Sequence, residues 1–206
     1  MSKETRLVYF SSDYIVRFCK EHRIDWGLRQ EARYAENWLI EPSAMGMFFD
    51  LLTEKGDLFT QYEYCEFAMH APVTANGMEW QRLTVELQDC LFRGRLMRNF
   101  YPSGIDTLHA WALLVETGQF EQCIIDTAED AVGKTDLTLQ SKSGEMYHVA
   151  LRVGSEYTDS WQSRKAQRGE RPADTIEIIL PCDERPKGPG NKRWYEIEDF
   201  AALLKR

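Results

Sequence analysis

Residues Thr135–Val153 read TDLTLQSKSGEMYHVALRV. Two runs in this stretch, Thr135–Gln140 (TDLTLQ) and Met146–Val153 (MYHVALRV), have the length and the β-branched, apolar content of strands. Between them Lys142-Ser143-Gly144 forms a tight turn, with glycine supplying a backbone conformation that other residues resist. An antiparallel hairpin is predicted. Side chains alternate along a strand, so His148, Ala150 and Arg152 are predicted on one face of its second strand, and Tyr147, Val149 and Leu151 on the other.

Towards the N-terminus, Gln122–Thr127 (QCIIDT) reads as a further strand, joined to the hairpin through Gly133-Lys134. Before it, Ser103 and Asp106 have the spacing of a capping box, and Ile105, Leu108, Ala112 and Leu113 share one helical face. These predict a helix from about Gly104 to Thr117, closed by Gly118. Towards the C-terminus, Thr158–Arg168 (TDSWQSRKAQR) reads as a helix, Thr175–Leu180 (TIEIIL) as a fourth strand and Asp199–Arg206 as a closing helix. The order over residues 104–181 is helix, strand, strand, strand, helix, strand.

The first hundred residues have helical periodicity instead. Apolar groups recur at Ile15, Phe18 and Cys19, at Leu28, Ala32, Ala35 and Leu39, at Met45, Phe48, Phe49 and Leu52, and along Trp80–Arg98 at Leu83, Leu87, Cys90 and Leu91. Pro42 separates two of these helices, and Ala71–Gly77 (APVTANG) reads as a loop. The expected fold is α/β (α+β): a helical N-terminal portion, residues 1–100, packed on a small mixed sheet within residues 101–206, the two forming one cooperative unit.

Composition bounds the function. Of 206 residues, 43% are hydrophobic and 28% charged, which sets the chain among globular proteins rather than disordered ones. No apolar run approaches the roughly 20 residues that span a bilayer, and MSKETRLVYF has no signal-peptide apolar core, so a cytoplasmic protein is expected. Five scattered cysteines without a CxxC pair signal neither a disulfide framework nor a zinc site. A net charge of −8 argues against nonspecific coating of nucleic acid, which depends on neutralising many phosphates. Positive charge is nonetheless concentrated at Arg93, Arg95 and Arg98, at Arg164, Lys165, Arg168 and Arg171, and at Arg185, Lys187, Lys192 and Arg193. There is no GxGxxG or GxxxxGK[ST] loop to cradle a nucleotide and no GxSxG elbow. Cys123 and His109 make a thiol and imidazole pair only if folding joins them.

The succession over residues 104–181 resembles the core of the PD-(D/E)XK nuclease-like superfamily. In that family an Asp near the start of the second strand, with an acidic residue and a Lys two apart on the third, gathers at one side of the sheet. Carboxylates hold Mg²⁺, the metal lowers the pKa of a water, and the Lys stabilises charge developing on phosphate. Asp136 stands at the first position. On the third strand the pattern is His-x-Ala-x-Arg: Arg152 takes the Lys place, Ala150 the acidic one, and His148 begins the row. The resemblance implies Mg²⁺ held by Asp136 and Glu116, with Arg152, Lys165 and His148 completing the catalytic set. Arg164, Lys165, Arg168 and Trp161 would form a basic and aromatic nucleic-acid surface.

Each of these residues also has a plainer use. An Asp beside a turn satisfies local backbone amides, a histidine on a sheet is commonly a bonded core group, and charged helix faces are usually solvated. Two other functions follow from the altered third strand and the composition: a catalytically inactive nuclease-like module that binds nucleic acid or a protein, and an acidic interaction protein using its aromatic residues at an interface.

Overall fold

A computed structural model of the chain describes residues 9–24, 26, 39–41, 44–70, 74–76, 84–125, 135–154, 175–181 and 194–205. The chain divides into two compact units. One comprises Met1–Phe10, Arg17–Ile105 and Gly188–Gly190; the other comprises Ser11–Val16, Asp106–Lys187 and Asn191–Arg206. Helices and a four-stranded mixed sheet make this an α/β chain, in agreement with the predicted class.

The elements are α1 (Ser12–Glu21), β1 (Leu39–Glu41), α2 (Ala44–Lys55), α3 (Gln61–Met69), β2 (Thr74–Asn76), α4 (Val85–Arg95) and α5 (Tyr101–Glu116), followed by β3 (Phe120–Ile125), β4 (Leu137–Ser141), β5 (Met146–Gly154), β6 (Thr175–Pro181) and a last short helix, α6 (Ala201–Leu204). A π-helical turn, Leu96–Phe100, joins α4 to α5, and a 3₁₀ turn, Ile197–Phe200, precedes α6.

The first unit is held by an aromatic cluster. Phe48 of α2, Phe59, Tyr64 of α3 and Tyr101 at the start of α5 stand with ring centroids 4.8 to 6.1 Å apart, within the range where tilted and edge-on rings attract. All four are shut off from solvent. Both buried phenols find acceptors: Tyr64 Oη donates to the Ala44 carbonyl at 2.7 Å and Tyr101 Oη to the Phe59 carbonyl. Burial pushes both hydroxyls above their ordinary pKa, so they stay donors. Gly104 lies against the Phe48 ring, where a Cβ would stand 2.7 Å from ring carbons.

The predicted break before Gly104 is absent, because α5 begins at Tyr101 and runs on from the π turn. Ser103 is therefore inside the helix rather than capping it. In the i+5 pattern of that turn, residue 102 would offer its N–H to the Met97 carbonyl, and Pro102 has none. The side-chain amide of Gln61, only 6% exposed, donates to that carbonyl at 2.8 Å. The helix survives its proline because a neighbouring helix supplies the missing donor.

The N-terminal helical faces of Ile15, Phe18 and Cys19 and of Met45, Phe48, Phe49 and Leu52 are buried as their spacing predicts. Leu28, Ala32 and Ala35 lie outside the described residues. Leu39, read with them as helical, is instead in β1, which pairs antiparallel with β2 of the predicted APVTANG loop. Three-residue strands are too short to show a period in sequence. Thr60 and Glu63 cap α3 reciprocally, Thr60 N–H donating to Glu63 Oε2 at 2.7 Å and Glu63 N–H to Thr60 Oγ1 at 3.3 Å. Lys55 also bonds Glu63 and, with this cap, holds its carboxyl down to about 2.

In the second unit the sheet order is β3-β4-β5-β6, with antiparallel pairs β3/β4 and β4/β5 and a parallel pair β5/β6. The connections agree: the short turn of residues 142–145 joins the antiparallel β4 and β5, residues 126–136 link β3 to β4, and the parallel return to β6 takes a long crossover, residues 155–174. The predicted helix Thr158–Arg168 lies in that crossover, outside the described residues. The β4/β5 turn closes through Ser141 N–H to the Glu145 carbonyl at 2.8 Å, with Gly144 at φ +90°. Leu137, Leu139 and Val149 are fully buried and line one face. Trp111 of α5 donates from Nε1 to the Cys123 carbonyl of β3 at 2.8 Å, tying helix to strand. Among the described residues no helix is long and apolar enough to cross a membrane.

Candidate functional site

The predicted site is centred on the start of β4 and the middle of β5. Asp136 immediately precedes β4. Its N–H donates to the Val149 carbonyl at 2.8 Å, while Leu137 is the residue registered on Val149, so two consecutive residues address one partner, as in a bulge. The Asp136 carboxylate turns to β5 and accepts from the Leu151 N–H through Oδ2 at 2.6 Å. β5 continues past the start of β4, and this carboxylate supplies the acceptor that another strand residue would otherwise present. The acceptor thus serves a cross-strand amide fifteen residues away rather than an amide of its own turn.

Register then sets the neighbours. His148 pairs with Thr138 on β4 and with Thr175 on β6, giving a Thr-His-Thr row across three strands. Within it His148 Nδ1 lies 3.4 Å from Thr138 Oγ1. Ala150 pairs with Glu177 of β6, and Arg152 with Ile179. Ala150 is 3% exposed and its neighbour Val149 0%, so both faces of the sheet are covered at the centre of β5. Of Arg152 only the backbone place is described.

Glu177 is the residue that reading the sequence overlooked. An acid within the apolar run TIEIIL was the available signal, but only the parallel register shows that it stands beside Ala150.

Glu116, at the last turn of α5, is engaged elsewhere. Its Oε1 accepts from the Ser12 N–H at 2.8 Å and its Oε2 from Ser12 Oγ at 2.6 Å. Ser12 opens α1, and Ser11 Oγ accepts from Tyr14 N–H at 3.2 Å, so α1 starts with a serine cap and a carboxylate facing its positive end. Mg²⁺ demands converging oxygen ligands. Among the described residues no group of three or more His, Cys, Asp or Glu converges. Trp161, Arg164, Lys165 and Arg168 lie outside the described residues.

Two residues singled out as a thiol and imidazole pair are both desolvated. Burial pushes the Cys123 thiol up to about 12 and the His109 imidazole down to about 4. A thiol so far from ionisation is a poor nucleophile at neutral pH.

Comparison with known proteins gives no matching family model, no matching curated protein and no matching solved structure.

Proposed function

We propose that this chain is a nuclease-like module that binds nucleic acid without hydrolysing it. The observation that carries the reading is the joint engagement of the two carboxylates: Glu116 gives both oxygens to Ser12, and Asp136 gives one to the Leu151 amide. With these carboxylates engaged and alanine at position 150, a metal-dependent step is left short of ligands. Binding is assigned to the crossover between β5 and β6. Its stretch Trp161–Arg171 carries four cations, Arg164, Lys165, Arg168 and Arg171, against one anion, Glu170, with Trp161 as a stacking surface. An acidic chain whose positive charge is gathered in a few short segments suits local binding rather than a coat. We assign the protein to the cytoplasm, where its described cysteines, all free, would stay reduced.

The test is fluorescence anisotropy of labelled single- and double-stranded DNA and RNA with the wild type and with R164A/K165A/R168A. Binding that weakens as salt rises and drops about tenfold or more in the triple variant is expected, since each lost phosphate contact removes released counterions. Equal binding by both proteins would move the interface elsewhere. No binding to any polymer would leave a protein partner as the ligand.

A further inference from the structure

We infer that His109 is an acid-sensitive latch that holds the C-terminal segment, residues 194–205, in the second unit. The imidazole sits in the middle of α5 and is 3% exposed. Its ring lies 4.8 Å from the indole of Trp194, inclined by 55°. Its Nδ1 is closed off from solvent and has no hydrogen-bond partner.

A neutral imidazole tolerates this setting, because one of its nitrogens need not donate. A protonated one does not: both nitrogens become donors, Nδ1 has no acceptor where the ring now stands, and the charge would be desolvated. The available escape is for Trp194 to leave and let water in.

What leaves with it is weakly built. The segment consists of a four-residue 3₁₀ turn and the four-residue α6, held by buried Tyr195, Phe200 and Leu203. Helices this short have little stability of their own and depend on their docking.

Glu116, further along α5, favours the proton on His109, but burial outweighs it and holds the group at about 4. On the docked segment Glu196 and Glu198 are exposed, and Asp199 turns its carboxylate back to the Glu196 N–H at 2.9 Å. β6, which lies against Ile197–Phe200, contributes Glu177, in register with Ala150. Asp106, one turn earlier on α5, is itself buried.

The direction follows from linkage. In the released state His109 titrates near its ordinary value of 6.5, and in the docked state near 4. Docking is fully favoured above 6.5, and between 6.5 and 4 only the released state takes up the proton. Falling pH therefore drives release, by roughly 20-fold between pH 7 and pH 5.

Hydrogen exchange of the full chain, corrected for intrinsic rates, tests this against H109Q, which keeps a polar side chain but cannot titrate. Amides of Ala201–Leu204 should lose roughly 20-fold in protection between pH 7 and pH 5 in the wild type, while those of β4 and β5 hold and H109Q stays level. The inference is overturned if the wild-type segment keeps its protection at pH 5, if H109Q loses it in the same window, or if β4 and β5 open together with the segment. Should H109Q not fold, NMR titration of the wild-type imidazole decides: its midpoint must track the loss of protection, and an independent midpoint overturns the latch.

Discussion

The carboxylate of Asp136 accepts from the backbone N–H of Leu151 at 2.6 Å, closing the β5 edge where β4 begins. The residue that would be the first metal ligand of a nuclease is thereby a structural acceptor. Asp136→Ala leaves the Leu151 amide without its acceptor and should cost about 1–3 kcal/mol, whereas Asp136→Asn keeps an oxygen in place and should cost about half as much. Urea denaturation of the two variants checks this. Equal stability of wild type and Asp136→Ala would show that the bond contributes nothing to the fold.

Glu116 and Ser12, 104 residues apart in sequence, are joined by two hydrogen bonds at the start of α1. Removing either side chain should destabilise by about 1 kcal/mol, typical of a helix cap. In a double-mutant cycle, Ser12→Ala should add little to a chain that already carries Glu116→Ala, since its hydroxyl then has no carboxylate to donate to. Full additivity would mean that the pair does not interact in solution.

Gln61 substitutes for the donor that Pro102 lacks. Gln61→Leu should cost about 1–3 kcal/mol by leaving the Met97 carbonyl without its partner. Adding Pro102→Ala restores a backbone N–H at the right point of the turn and should recover part of that loss. Chemical denaturation of the single and double variants reads both effects.

Gly104 is required by the Phe48 ring. Gly104→Ala puts a methyl 2.7 Å from ring carbons and should destabilise by about 1–3 kcal/mol even though alanine favours helix. Phe48→Leu in the same chain should relieve the clash, so the double variant should lose less than the two single losses added together. Thermal unfolding of the set is the measurement.

Much of the fold was legible because its signals are local. The β-branched runs of β4 and β5, the Lys142-Ser143-Gly144 turn and the buried stripes of α1 and α2 all lie within short windows. Strand ends moved by a residue or two, and Phe120 and Glu121 joined β3 although Gly118 marked the helix end correctly. The π turn escaped notice because its stability comes from Gln61, far along the chain. The site was legible as a set of residue types but not as an arrangement. Nothing local to Glu116 announces Ser12, and nothing local to Glu177 announces Ala150, since tertiary packing and the parallel register bring each pair together.

Binding without hydrolysis is tested most directly by following the anisotropy of an end-labelled oligonucleotide over hours with excess protein, in Mg²⁺ and again in Mn²⁺. The account predicts an immediate rise that then holds level in both ions, for wild type and Asp136→Asn alike. A rise followed by decay to the value of short fragments, seen in wild type and lost in a folded Asp136→Asn, would contradict it and make the chain a metal-dependent nuclease.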